Sequence, residues 1–265
     1  MMNLKYILGL ILHLPLLPLM YLQGKKIKQT IPALPEAEGP MGTYRSSKTD
    51  KRLKMLLIGE STIAGIGVKT HEEGFSGTLA KELGRLHQAA VEWKVYAKSG
   101  YAAKRVREEI IPLIGETEAD LIVLGLGGND AFELSPPWRW QKELNALLQD
   151  LRRQFPDSPI VFCNMPPIKE FPAFTPLIKS SIGNLAEILG QSLAKLVKAW
   201  PQVYYHDKVL RLKSWNQAFG LKYGPSDYFS DGVHPSKLAY QTWALDIAKM
   251  IKAQNILKND ASIGK

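Results

Sequence analysis

The sequence predicts an α/β fold, a three-layer α/β/α sandwich on a parallel sheet, and two observations carry that prediction. From Leu53 onward short apolar β-type runs alternate with longer amphipathic ones, and the run 121–126 is apolar without a break. An uninterrupted apolar run of that length suits a parallel strand covered on both faces. Strands separated by helices of about 12 or more residues form right-handed βαβ crossovers, which place helices on both sides of the sheet.

The expected strands are 54–58, 92–97, 121–126, 160–164 and 203–205, and the expected helices 74–87, 103–114, 138–155, 177–200 and 237–253. In 177–200 the apolar positions 185, 188, 189, 193, 196 and 197 keep the i, i+3, i+4 spacing of one helix face. Together these elements make one domain over 51–256, followed by a tail, 257–265. With 45% hydrophobic residues in 265, the chain has enough apolar surface for one substantial core. Its single cysteine, Cys163, excludes an intramolecular disulfide and a zinc site built on several thiolates, and its apolar surroundings mark it as a buried thiol.

Ahead of the domain, residues 4–22 are apolar apart from Lys5 and His13, close to the roughly 20 residues that cross a bilayer. No small-x-small cleavage site precedes Gln23-Gly24-Lys25, and the stretch lacks the polar face of an in-plane helix. Residues 1–28 are therefore expected to be an uncleaved membrane anchor, kinked at Pro15 and Pro18, and 29–50 a Pro/Gly-rich linker. The net charge is +9, with dispersed basic residues and a cluster at Lys25, Lys26 and Lys28 directly after the apolar stretch. That placement suits lipid headgroups rather than nucleic acid, for which no motif is present. Weighing Lys5 against this cluster and Arg45, Lys48, Lys51, Arg52 and Lys54 puts the domain on the cytoplasmic side, the periplasmic or extracellular side being the alternative.

In a parallel α/β sheet, functional residues gather at the carboxyl ends of the strands. After the first strand comes Gly59-Glu60-Ser61-Thr62, after the second Lys98-Ser99-Gly100-Tyr101, and after the third Gly127-Gly128-Asn129-Asp130. Taken singly, each is also an ordinary turn or helix cap. A serine on a tight turn is nevertheless exposed beside backbone N–H groups, a glycine offers an unobstructed N–H, and an asparagine amide donates to an oxyanion. Near the carboxyl end comes Ser230-Asp231-Gly232-Val233-His234-Pro235, whose Asp-x-x-His spacing pairs a carboxylate with an imidazole. The glycine run lacks the Gly-Lys-Ser/Thr ending of a phosphate loop.

Taken together, the four segments resemble the SGNH (GDSL-like) hydrolase superfamily, over roughly residues 53–250. The resemblance implies a flavodoxin-like sheet, Ser61 as nucleophile, Asp231 and His234 as its partners, and an oxyanion hole of Ser61, Gly100 and Asn129. It implies carboxylic ester hydrolysis through an acyl-serine, with no metal or organic cofactor. One position departs from the family pattern: Glu60 stands where aspartate is usual.

The apolar loops Pro136-Pro137-Trp138-Arg139-Trp140 and 164–174 make Trp138, Trp140, Phe171 and Phe174 candidate substrate contacts, core packing being the alternative. A tether and such loops favour a lipid or acyl ester. The alternatives are a short-chain or carbohydrate O-acetyl ester, and a binding module that has lost catalysis through Glu60.

Overall fold

The structure, a computed structural model, describes residues 2–46 and 50–257. Lys48 and nearly all of the expected tail, 258–265, lie outside the described residues. A six-stranded sheet forms the middle layer: β1 (Met41–Tyr44), β2 (Arg52–Gly59), β3 (Ala90–Ala97), β4 (Leu121–Gly125), β5 (Ile160–Phe162) and β6 (Val203–Tyr205). Their order is β1-β3-β2-β4-β5-β6, parallel throughout except where β1 runs antiparallel to β3. Without β1 this is the flavodoxin-type order, in which the chain leaves β2 to one side for β3 and returns to the other side for β4.

That reversal fixes the helix layers. With right-handed crossovers, the helix between β2 and β3 and the helix between β4 and β5 fall on opposite faces. These are α3 (Phe75–His87) and, after the short α4 (Ala103–Arg105) and α5 (Gly128–Phe132), α6 (Pro137–Gln154). α6 packs with α7 (Pro176–Leu196), whereas α3 packs with the last helix of the domain. α8 (Leu212–Phe219) and α9 (Pro225–Tyr228) lead into that last helix, α10 (Lys237–Ala253), which opens with Ser236 as its cap, its side chain accepting from Ala239 N. All five residues of β4 are buried, as its unbroken apolar run requires.

Several elements differ from the sequence reading: α8 and α9 were not expected, β5 ends at Phe162, and two further spans change in kind. The span 103–114 is not one regular helix: α4 passes into a π-type turn at Val106–Ile110 and a 3₁₀ turn at Ile111–Leu113. Pro112 has no N–H to continue the ladder, which accounts for the end of the regular hydrogen bonding. The span 29–50 is not wholly a linker, because residues 41–44 form the edge strand β1. Such a strand needs only backbone pairing, so its sequence carries no apolar alternation. Gly42 is required there, since a Cβ would lie 2.5 Å from the Trp93 ring.

The amino-terminal stretch is helical, α1 (Met2–His13) and α2 (Leu17–Thr30) joined by a 3₁₀ turn around Pro15. Its span Tyr6–Thr30 is long and apolar enough, by length and composition, to cross a membrane. It lies along the domain: the Tyr6 hydroxyl donates to Leu134 O at 3.2 Å, its ring meets Trp138 edge-on, and Thr175 Oγ1 donates to Gln23 Oε1 at 2.6 Å.

Candidate active site

Three of the expected residues follow three adjacent strands at the switch point of the sheet: Ser61 after β2, Gly100 after β3 and Asn129 after β4. Glycines close two of these strands, β2 at Gly59 and β4 at Gly125. A Cβ on Gly59 would lie 2.3 Å from Gly125 O, and one on Gly125 would lie 2.5 Å from Ile63. The chain then turns tightly at the serine, with Ile63 N and Ala64 N both donating to Glu60 O. Gly100 is exposed with φ +81°, a backbone conformation that suits glycine, and open space surrounds it.

The carboxyl-terminal loop joins the same place. Ser230 Oγ donates to Gly67 O at 3.0 Å and the Tyr240 hydroxyl to Ile66 O at 2.8 Å, tying the loop and the helix α10 that follows it to the chain just after Ser61. Glu60 and Thr62, which flank Ser61, share one apolar cavity with Val233 and Pro235, which flank His234. Within the loop, Asp231 Oδ2 meets His234 Nδ1 at 2.7 Å, while Oδ1 accepts from the backbone N–H of Val233 at 2.9 Å and of His234 at 2.7 Å. The Asp231 side chain is 1% exposed and that of His234 24%. Burial pushes the Asp231 carboxyl up, but the bonds from the His234 ring and the two N–H groups outweigh it and hold the group below the usual carboxylate range. With Nδ1 committed to the carboxylate, Nε2 is the ring nitrogen available to a hydroxyl.

Glu60 has a defined place. Its Oε1 accepts from Gly128 N at 2.7 Å, and its Oε2 from Asn129 N at 2.9 Å and Asn129 Nδ2 at 2.8 Å. A Cβ on Gly128 would lie 2.8 Å from Oε1, so this glycine makes room for the longer side chain. The other hydrogen of the Asn129 amide goes to Tyr101 O at 3.2 Å, linking the Gly100 loop to the Asn129 turn. Burial pushes the Glu60 carboxyl up to about 8; the N–H donors act in the opposite sense.

Because that folded-state value lies above the roughly 4.3 of an unfolded glutamate, the folded chain binds this proton more tightly. The group's contribution to stability is therefore present at low pH and is lost as pH rises towards about 8. Glu60→Gln cannot titrate and sets an NH2 against the donors of the Asn129 turn. We expect the melting-temperature difference between unsubstituted chain and variant to shrink as pH rises from about 5 to 8. Turnover is expected to fall at least about ten-fold, because the Asn129 turn that Glu60 holds is displaced. Parallel melts and kinetics check both, and a pH-independent difference would contradict the assignment.

Sequence reasoning registered Glu60 only as a departure and gave Asp130 no role. Asp130 is buried, accepts from Ala103 N at 3.0 Å, and is pushed up to about 7 by that burial. It thereby fastens the start of α4, beyond Gly100, to the Asn129 turn. The signal was available in the Gly-Gly-Asn-Asp run, but its partner is distant in sequence.

The aromatic candidates divide. Phe171 lines the apolar cavity beside Glu60, and Phe174 packs edge-on against both Phe171 and Phe132. The two tryptophans are a correction. Trp140 is fully buried between α6 and α7, its Nε1 donating to Leu189 O at 3.2 Å, and Trp138 faces Tyr6 of the amino-terminal helix. Neither lines the cavity. The reason is helical phase: Pro137, Trp140, Leu144, Leu147, Leu148 and Leu151 form the inward face of α6, which leaves Trp138 outside.

The profile of the GDSL-like Lipase/Acylhydrolase family matches residues 57–242. A GDSL esterase/lipase of Arabidopsis thaliana is 23% identical over 228 residues, covering 80% of this chain and 91% of that protein. The fold is similar to that of a putative GDSL-like lipase from Parabacteroides merdae (TM-score 0.56, 18% identity, 80% of this chain and 100% of the other). It is also similar to phospholipase A1 from Streptomyces albidoflavus (TM-score 0.54, 16% identity, 75% and 98%). The profile match takes in the segments carrying Ser61, Gly100, Asn129, Asp231 and His234, and the chain belongs to the GDSL-like Lipase/Acylhydrolase family.

Proposed function

We propose that this chain is a serine esterase that cleaves a carboxylic ester with an apolar acyl part, through an acyl-serine intermediate at Ser61. The observation that carries this reading is the 2.7 Å bond between His234 Nδ1 and the buried Asp231 side chain, in a loop whose Val233 and Pro235 share one cavity with the residues that flank Ser61. Nε2 takes the Ser61 hydroxyl proton as Oγ attacks the ester carbonyl, and Asp231 stabilises the imidazolium that forms. The oxyanion receives the N–H groups of Ser61 and Gly100 and the Asn129 amide. Of the two bonds that amide makes, the one to Tyr101 O is the longer, at 3.2 Å, and is the one exchanged for the oxyanion. Collapse expels the alcohol, which takes its proton from Nε2; water then attacks the acyl-serine by the same proton route in reverse. Glu60 keeps Asn129 aimed in this scheme, which favours an active enzyme over a binding module.

The apolar cavity beside Glu60, walled by Met165, Phe171, Trp215 and Phe229, favours a lipid or acyl ester over a sugar acetate. The amino-terminal helix, in this reading, keeps the enzyme at a membrane, where such esters are concentrated. A fluorophosphonate probe tests the nucleophile: covalent labelling at Ser61, mapped by peptide mass, is the expected result. A folded chain that stays unlabelled and turns over no p-nitrophenyl ester from acetyl to palmitoyl would refute the reading.

A further inference from the structure

A second apolar groove, about 1240 Å³ including the part open to solvent, lies on the outer side of the catalytic loop. One wall belongs to the domain: Val233, between Asp231 and His234; Phe132, three residues beyond Asn129; and Phe174. The facing wall is the amino-terminal helix, through Met20, Gly24 and Ile27. Lys28 is the one charged residue lining it among the described residues. Phe171, which lines the inner cavity, meets Phe174 of this groove edge-on, and Val233 borders both. The helix that supplies the outer wall also turns apolar side chains to the surroundings: Leu12 is 70% exposed, Leu19 48% and Leu22 62%. The span that could sit in a lipid layer thus forms one wall of a groove whose other wall includes Val233, the residue next to His234.

We infer that the amino-terminal helix is a substrate-binding element as well as a tether: it forms one side of an acyl-chain groove, and the ester is a long-chain one drawn from a lipid layer. The inference rests on the esterase reading of the same site. A chain lying in the groove has its carboxyl end at Val233, the neighbour of His234 in sequence, and its tail between α2 and the domain. An acyl chain leaving the lipid layer along that helix exchanges one apolar surface for another without crossing water. Burial of each methylene favours binding roughly four-fold, so chain length is read out by how much of the groove is open.

Gly24 allows a direct test in the full chain. A Cβ at this position meets no atom within 4 Å, so Gly24→Trp projects a ring into open space rather than into packed structure. The quantity measured is the ratio of kcat/KM for p-nitrophenyl dodecanoate to that for p-nitrophenyl acetate, in mixed micelles of one composition. We expect Gly24→Trp to lower this ratio at least about ten-fold, the loss of two or more buried methylenes. Leu22→Trp, on the outward face of the same helix, is expected to leave the ratio unchanged. An unchanged ratio in Gly24→Trp, or an equal fall in both variants, would overturn the groove while leaving the esterase standing. Absence of turnover with either ester in the unsubstituted chain would remove both.

Discussion

Ser61→Ala is expected to lower kcat for ester hydrolysis by roughly four to six orders of magnitude while leaving the fold intact. On the proposed mechanism the effect is large because the Ser61 hydroxyl is the group that forms the acyl-enzyme, and what remains is acceleration by the proposed oxyanion donors and by binding. The fold should tolerate the change, since Ser61 is only partly buried and the turn is held by backbone bonds to Glu60 O and Ser61 O. A change in melting temperature of more than a few degrees would therefore point to a structural role. Steady-state kinetics on a short-chain ester and a thermal melt check the pair. Ester turnover within ten-fold of the unsubstituted chain would exclude Ser61 as the nucleophile.

Asp231→Asn is expected to cost about four orders of magnitude in kcat, with a smaller effect on binding. The carbonyl oxygen of an asparagine can still accept from Val233 N and His234 N, so the loop geometry is retained. Its NH2 group, however, faces His234 Nδ1. The ring must then accept at Nδ1 and carry its proton on Nε2, the nitrogen that takes the serine proton in the proposed mechanism. Stability should respond with a defined sign. The Asp231 carboxyl is held below its unfolded value, so its contribution is present at neutral pH and is lost as pH falls through the folded value. The unsubstituted chain should accordingly lose stability below about pH 4 through this group, and the variant should lack that part of the acid transition. Melts across pH 2–7 would show it; identical acid limbs would mean that Asp231 is not held as an anion.

What was legible in the sequence was local. The strand 121–126 was evident because burial of both faces leaves an unbroken apolar run, the helix 237–253 because burial of one face imposes its period on the residues, and the turn glycines because backbone conformations forbidden to other residues leave a mark in composition. The Asp231/His234 pairing could be read because its partners are three residues apart. The same local rule left Trp138 and Trp140, at the start of the expected helix 138–155, open between substrate contact and core packing; helical phase puts Trp140 in the core and Trp138 outside.

The sequence by itself determined the fold class, the family resemblance and the inventory of chemical groups, since each depends on residue types within short windows. Only the tertiary structure decided how those groups meet. Glu60 and Asn129 are separated by 69 positions, and their contact exists because β2 and β4 are neighbours in the sheet. Asp130 reaches Ala103, residues 41–44 become an edge strand, and the amino-terminal helix lies beside Phe132 and Val233, for the same kind of reason. Strand order and helix docking are set by the competition of all apolar surfaces for burial at once, and no window of sequence records the outcome of that competition.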